Sequence, residues 1–320
     1  MPLLSEAKDV IGELIAIQGL KTKCFDVWKP ELHEALQSLS ETDILPHELF
    51  SLLMMSGTEK KQLVLVTDRG QPVALAGLKD RRGGWEPVTQ WIVPGVLFPV
   101  KEKYIAKVLA VLGLNVRVGW WRWEIPPPPA SWIRNVVSTT TYGFDCSDDH
   151  EQYWRKSGFF KSVRLFRNRC RGFTFRVNSP GSREWTIRNW EVKWRQQGIA
   201  ETPGLTERLL ASEYLEKKGL HHTVTLLDRD IISAGMTFLI HRNAAVAQVN
   251  YRDPRYDKYG AMSHLWDLSF NWAKEMGFAK IDIGGSFDYK EKLAPENGKK
   301  WEFDVSPRRV WLKEWAFLRC

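Results

Sequence analysis

The sequence contains the same pattern twice. Gln62-Leu-Val-Leu-Val-Thr-Asp68-Arg69-Gly70 aligns with His222-Thr-Val-Thr-Leu-Leu-Asp228-Arg229-Asp230, and each stretch carries an apolar, β-rich run into an Asp-Arg turn. A second β-rich run follows each turn, at 72–78 and 231–240, so each copy predicts a β-hairpin. A third strand follows at 85–93 and 244–251. An amphipathic helix comes next, at 101–112 and 262–276; in the second, Leu265, Leu268, Phe270, Trp272 and Met276 keep near-helical spacing. Both helices stop at a glycine, Gly113 and Gly277, and lead into short strands at 113–118 and 277–283. A chain that repeats hairpin, strand, helix, strand is constrained to two similar α/β units.

Composition narrows the class further. A hydrophobic content of 43% and a charged content of 26% match folded globular domains. No long apolar run occurs, and Glu6, Lys8 and Asp9 fall where a signal peptide needs apolar residues, so a cytoplasmic protein without a transmembrane segment is expected. The four cysteines are scattered, which argues against a disulfide framework or a zinc cluster. His221 and His222 are neighbours on one strand and point to opposite faces, so no metal is expected. A net charge of +8 favours an anionic partner. Sixteen tryptophans predict large cores and clefts, or stacking on bases or sugars.

The expected division is a first unit at 1–125, a connector at 126–183 and a second unit at 184–320. Four prolines, Pro126 to Pro129, stiffen the start of the connector. No acidic residue occurs at 152–183, where nine Lys and Arg residues interleave with aromatics. Like charges at this density repel, so Arg164, Arg167 and Arg171 are expected to contact an anionic donor or acceptor. The competing reading is a linking helix whose arginines pair with carboxylates of the body.

Ahead of the second helix lies Arg255-Tyr256-Asp257-Lys258-Tyr259-Gly260. The first N–H groups of a helix lack intrahelical partners and sit at the positive end of its dipole, so Gly260, Ala261, Met262 and Ser263 offer an anion site. Gly260 and Ala261 would allow a phosphate to approach the backbone closely, and Arg255 and Lys258 add charge.

The run from Tyr259-Gly260-Ala261-Met262-Ser263-His264-Leu265-Trp266, through Trp272-Ala273-Lys274-Glu275-Met276-Gly277, to Ile281-Asp282-Ile283-Gly284-Gly285 resembles the C-terminal half of Fem-type (FemAB-like) proteins of the GNAT superfamily. The resemblance implies an α/β fold of two tandem GNAT-like units, each a twisted mixed sheet flanked by helices. It also implies an N-acyltransferase, with acyl-coenzyme A, an acyl carrier protein or an aminoacyl-tRNA as phosphate-bearing donor and an amine as acceptor. Lys258 stands where the superfamily's phosphate loop has its first glycine. By the same resemblance the strand at 246–251, with Val249 and Tyr251, offers backbone N–H groups to the donor carbonyl, and Lys290 neutralises a phosphate or leaving group. Acyl transfer to an amine also needs a group that moves protons, and Tyr289, Asp282 and His264 are the candidates beside the implied cleft. The alternative from a different class is a nucleic-acid or carrier-binding protein that keeps the GNAT units as scaffold.

Overall fold

The computed structural model describes residues 18–39, 60–81, 84–88, 98–112, 116–121, 133–198, 205–241, 243–285 and 289–305. The chain divides into two compact units, one formed by 1–138 with 300–320 and the other by 139–299.

In the first unit β1 (Leu20–Phe25), β2 (Lys61–Asp68), β3 (Gln71–Arg81) and β4 (Gly84–Pro87) make an antiparallel sheet in that order. β2 lies inside the sheet, and its residues from Gln62 to Val66 are buried without alternation, as expected of a strand covered on both faces. Helix α1 (Pro30–Ser38) follows β1. Helix α2 (Ile105–Val111) brings Ile105, Val108 and Leu109 into one core with Val64, Val66, Ala74 and Ala76. β5 (Val116–Trp121) pairs with the end of β12 (Glu296–Val305).

The second unit holds the sheet order β6 (Ile133–Asp145, from Thr139 on), β11 (Lys280–Gly285), β10 (Ala244–Arg252), β9 (Ile231–His241), β8 (His221–Asp228), β7 (Phe173–Val177). β10 and β11 run parallel, whereas β7 to β10 pair antiparallel in sequence and β11 pairs antiparallel with β6. Helix α7 (Ala261–Glu275) covers one face through Leu265, Trp266, Phe270 and Ala273, which share a core with Val224, Met236, Phe238 and Ile281. Helix α5 (Ser182–Gln196) packs on β9 and β10, burying Thr186 and Ile187, and α6 (Leu205–Lys217) packs beside α5. Gly235 permits the approach of α5, since a Cβ there would strike the Thr186 side chain.

The boundaries differ from those the sequence suggests. Pro126 to Pro129 lie outside the described residues, but 139–183 is part of the second unit and not a connector. Helices α3 (His150–Lys156) and α4 (Phe160–Arg169) fold there, α3 capped by Asp149, whose carboxylate accepts the N–H groups of Glu151 and Gln152. Trp154, Phe159, Phe160, Phe173 and Phe175 join the core of that unit, which is what draws the basic segment in. At the other end, 300–320 groups with the first unit because β12 pairs with β5.

The doubled hairpin is present in detail, whereas 89–93 and 113–115 of the first copy lie outside the described residues. β2–β3 and β8–β9 are hairpins with two-residue turns, and Arg69 and Arg229 both take positive φ, 49° and 58°. Each hairpin has one irregularity, between Val66 and Thr67 in the first and between Leu226 and Leu227 in the second, at the aligned position.

Candidate active site

The two parallel strands part within the second unit. β10 and β11 pair from Ala244 with Lys280 to Val246 with Asp282 and no further, although β10 continues to Arg252 and β11 to Gly285. Each strand turns away for a local reason. In β10 a bulge sets Gln248 and Val249 against the single residue Thr237 of β9, and the buried Thr237 hydroxyl accepts the Val249 N–H at 3.3 Å. In β11 the register against β6 shifts between Asp282 and Gly284, where Gly284 takes φ +77° and donates its N–H to the Asp282 carboxylate at 2.6 Å. The parted end of β11 is tied down by Lys290, in helix α8 (Lys290–Leu293). Its buried ammonium donates to the carbonyls of Ile283 at 2.6 Å and Gly285 at 3.2 Å.

From β10 the chain reaches α7 through a six-residue 3-10 turn, Pro254–Tyr259, so the helix start belongs to the open end of the parted strands. Asp253 begins the turn by accepting the Arg255 N–H, and Gly260, at φ +71°, ends it and serves as the N-cap of α7. The amides of Ala261, Met262 and Ser263 belong to the first turn of a fifteen-residue helix and have no i−4 partner in it. Met262 and Ser263 are partly exposed. Lys258 is exposed just ahead of them, its ammonium 5.1 Å from the centre of the Tyr259 ring. These groups fit a phosphate. The expected close approach at Gly260 is corrected: the Phe166 ring of α4 occupies the space beside it, and a Cβ there would collide with that ring. Arg255 turns its guanidinium back onto Asp253, with contacts from 2.6 to 3.1 Å.

The remaining expected residues fall into three places. Tyr289 precedes α8 and is 44% exposed; partial burial of its phenol raises its pKa against the opposing charge of Arg252. Tyr251 packs edge-on against Trp185 of α5, ring centroids 5.3 Å apart, and burial raises its pKa too. His264 lies in a different cluster, its Nδ1 3.6 Å from Asp267, whose carboxylate also has His150 Nε2 at 3.6 Å and receives two hydrogen bonds of 2.7 Å from Arg167. Burial opposes the Asp267 charge, and Arg167 with the two imidazoles overcomes it, so the carboxyl is held far below its usual range. Arg167 also pairs with Glu151 at 2.6 Å, so it is a tie between helices and not a free anion contact. Arg164 and Arg171 are exposed.

Residues 158–291 match the sequence model of the family described as the acetyltransferase (GNAT) domain. The second unit carries a GNAT domain. FemX shares the fold across the chain, at 9% identity and a TM-score of 0.50, covering 90% of this chain and 98% of its own. So do L-PGS from Bacillus licheniformis, at 15% identity and 0.50, covering 91% and 96%, and a conserved protein of unknown function from Bacteroides thetaiotaomicron, at 12% and 0.51, covering 88% and 99%. No curated protein matches the chain. The chain therefore shares its fold with these proteins, and the match to the GNAT domain lies within the second unit. Among the described residues no helix is long and apolar enough to cross a membrane, and no cluster of three or more metal-ligating side chains occurs.

Sequence reasoning held Gln248 only as one residue of the strand at 246–251, and it missed Thr237, Phe166, Arg169 and Trp185 as parts of the site. Only the bulge had a readable neighbourhood, a β-rich run interrupted by Gln248; the others depend on contacts between distant segments.

Proposed function

We propose that the second unit transfers an acyl or aminoacyl group from a phosphate-bearing donor to an amine. The observation that carries this reading is the parting of β10 and β11 beyond Val246 and Asp282, at an open end that includes the start of α7. The donor phosphates meet the amides of Ala261, Met262 and Ser263, with Lys258 ahead of them. Thr237 already occupies the Val249 N–H, so the donor carbonyl takes its hydrogen bond from the other bulge residue, Gln248. As the amine nitrogen bonds to the acyl carbon and the thioester or ester bond breaks, the amine proton passes toward the Asp282 carboxylate. Tyr289, a phenol and so protonated at neutral pH, gives its proton to the leaving group, and the proton taken up at Asp282 returns to Tyr289 through solvent, which restores both groups. Arg164 and Arg171 serve the anionic body of the donor. Acyl-coenzyme A, a carrier protein and a charged tRNA all meet these requirements, and all are cytoplasmic.

Incubation with acetyl-coenzyme A and a panel of amines, followed by thiol release and by calorimetry with coenzyme A, tests the reading. Turnover is expected, and Tyr289→Phe is expected to lower kcat by about 100-fold, the low end of general acid catalysis. Coenzyme A binding without turnover narrows the fault to the acceptor, whereas neither binding nor turnover with coenzyme A, carrier or tRNA donors overturns the enzyme reading. The second reading, a binding protein on a GNAT scaffold, is favoured by Phe166 filling the side of Gly260 and by Lys258 standing in place of a glycine.

A further inference from the structure

We propose that the end of α4 is a clamp that positions the donor loop, with Arg169 as its polar anchor. This rests on the reading that donor phosphates meet the start of α7, and it assigns to the basic segment a task other than touching the donor.

Three side chains on one stripe of α4 and its C-cap hold three consecutive loop residues. The Phe166 ring lies against Gly260, Arg169 Nη1 donates to the Lys258 carbonyl at 2.8 Å, and Cys170 Sγ approaches the Tyr259 carbonyl at 3.6 Å. The spacing i, i+3, i+4 is what places such side chains together on a helix. Burial pushes the Cys170 thiol up to about 11, so it keeps the proton it donates. Arg167, one residue from Phe166, fixes α4 to α7 through Asp267, which keeps the stripe beside the start of that helix.

The physical need follows from where these carbonyls are. Lys258 and Tyr259 close a 3-10 turn, and the carbonyl groups at the end of a turn carry partial negative charge. The amides that begin α7 lie immediately beyond, and they attract an anion. Unmasked carbonyls beside that point repel an anion and leave a loop with one glycine free to take other conformations. A guanidinium on the Lys258 carbonyl masks one dipole and adds a positive charge, while Phe166 fixes the left-handed residue that turns the chain into the helix. Arg169 and Phe166 are therefore positioning residues.

The test uses the full chain without ligand, comparing amide hydrogen exchange by mass spectrometry in wild type, Arg169→Ala, Arg169→Lys, Phe166→Ala and the exposed control Lys161→Ala. Arg169→Ala and Phe166→Ala are expected to speed exchange at 258–263 about tenfold, from the loss of a charge-assisted hydrogen bond or of the packed ring. The β8–β9 hairpin should be unchanged, Arg169→Lys should restore part of the protection, and Lys161→Ala should have no effect. Calorimetry with coenzyme A should show about tenfold weaker binding for Arg169→Ala. Exchange at 258–263 that is the same in Arg169→Ala and Lys161→Ala overturns the clamp. If wild type does not bind coenzyme A, the donor reading fails by itself, and the exchange comparison still decides the clamp.

Discussion

The hairpins β2–β3 and β8–β9 are built alike and lead to different ends. Each begins with a strand buried on both faces, turns at an arginine in the left-handed region and carries one irregularity before the turn. After β3 the described chain has a four-residue strand and a seven-residue helix. Its N-cap, Tyr104, has φ −102°, and the buried residues of that helix are all apolar. After β9 come a nine-residue strand with a bulge, a left-handed glycine cap and a fifteen-residue helix with Asp267 1% exposed in its buried face. The hairpin is thus scaffold in both copies. What makes a candidate site is the bulge, the cap and the buried charge added after the second one.

The buried charge gives the largest expected difference. Arg167→Met strips Asp267 of its two short hydrogen bonds and leaves a buried carboxylate against two imidazoles, a change of the kind that costs about 3–5 kcal/mol. Urea unfolding of the variant measures it. A loss below about 1 kcal/mol would show that α4 is not tied to α7 by this pair, and would return Arg167 to the set of anion contacts. No comparable substitution exists in α2, where Val108 or Leu109 offers only packing.

Two glycines in the left-handed region sharpen the comparison, Gly70 in the β2–β3 turn and Gly260 at the cap of α7. Gly70 and Gly260 both have positive φ, 80° and 71°, but a Cβ at Gly70 meets nothing, whereas one at Gly260 meets the Phe166 ring. Gly70→Ala should therefore cost only the left-handed penalty of about 1–2 kcal/mol. Gly260→Ala adds steric strain of about 1–3 kcal/mol, and pairing it with Phe166→Ala should remove that part alone. Equal losses at the two glycines would mean that α4 yields freely and does not fix the loop.

The same contacts show why the fold was more legible than the site. Strands, turns and helices leave local marks: the β-rich runs, the Asp-Arg pairs and the glycines after both helices placed the repeated elements within a few residues. Arg167 with Asp267, and Phe166 with Gly260, join segments with no local sign of each other. An acid-free run reads as unneutralised charge when, apart from Glu151 at its edge, its partners Asp267, Glu213 and Glu216 lie far along the chain. The unit boundary was hidden for a related reason, since β6 and β12 each belong partly to both units and no change of composition marks the crossing.

The smallest expected effect is one of pH, and it too belongs to the second copy. His221 opens β8 at 1% exposed, its Nδ1 buried without a hydrogen-bond partner among the described residues, whereas the residue opening β2 is the partly exposed Lys61. Burial first, then the charges of Arg183, His222 and Arg208, lower the His221 pKa to about 3 from its ordinary 6.5. A histidine held neutral in the fold contributes fully above the unfolded-state value, and that stability is lost as pH falls from about 6.5 toward 3, because the unfolded chain binds the proton and the fold does not. Between about pH 8 and pH 5.5 the loss is about 1.4 kcal/mol, one unit of protonation free energy. His222 is lowered in the same direction, so the single variant His221→Leu isolates the contribution by difference, and Asp267 titrates far below this window. His221→Leu also removes an unpartnered buried nitrogen, so at pH 8 it should be at least as stable as wild type. Urea unfolding at both pH values gives the result: a wild-type loss that exceeds the variant's by about 1.4 kcal/mol assigns the acid sensitivity to the first residue of β8. Equal losses would mean that His221 finds a proton-accepting partner in solution and is not buried neutral.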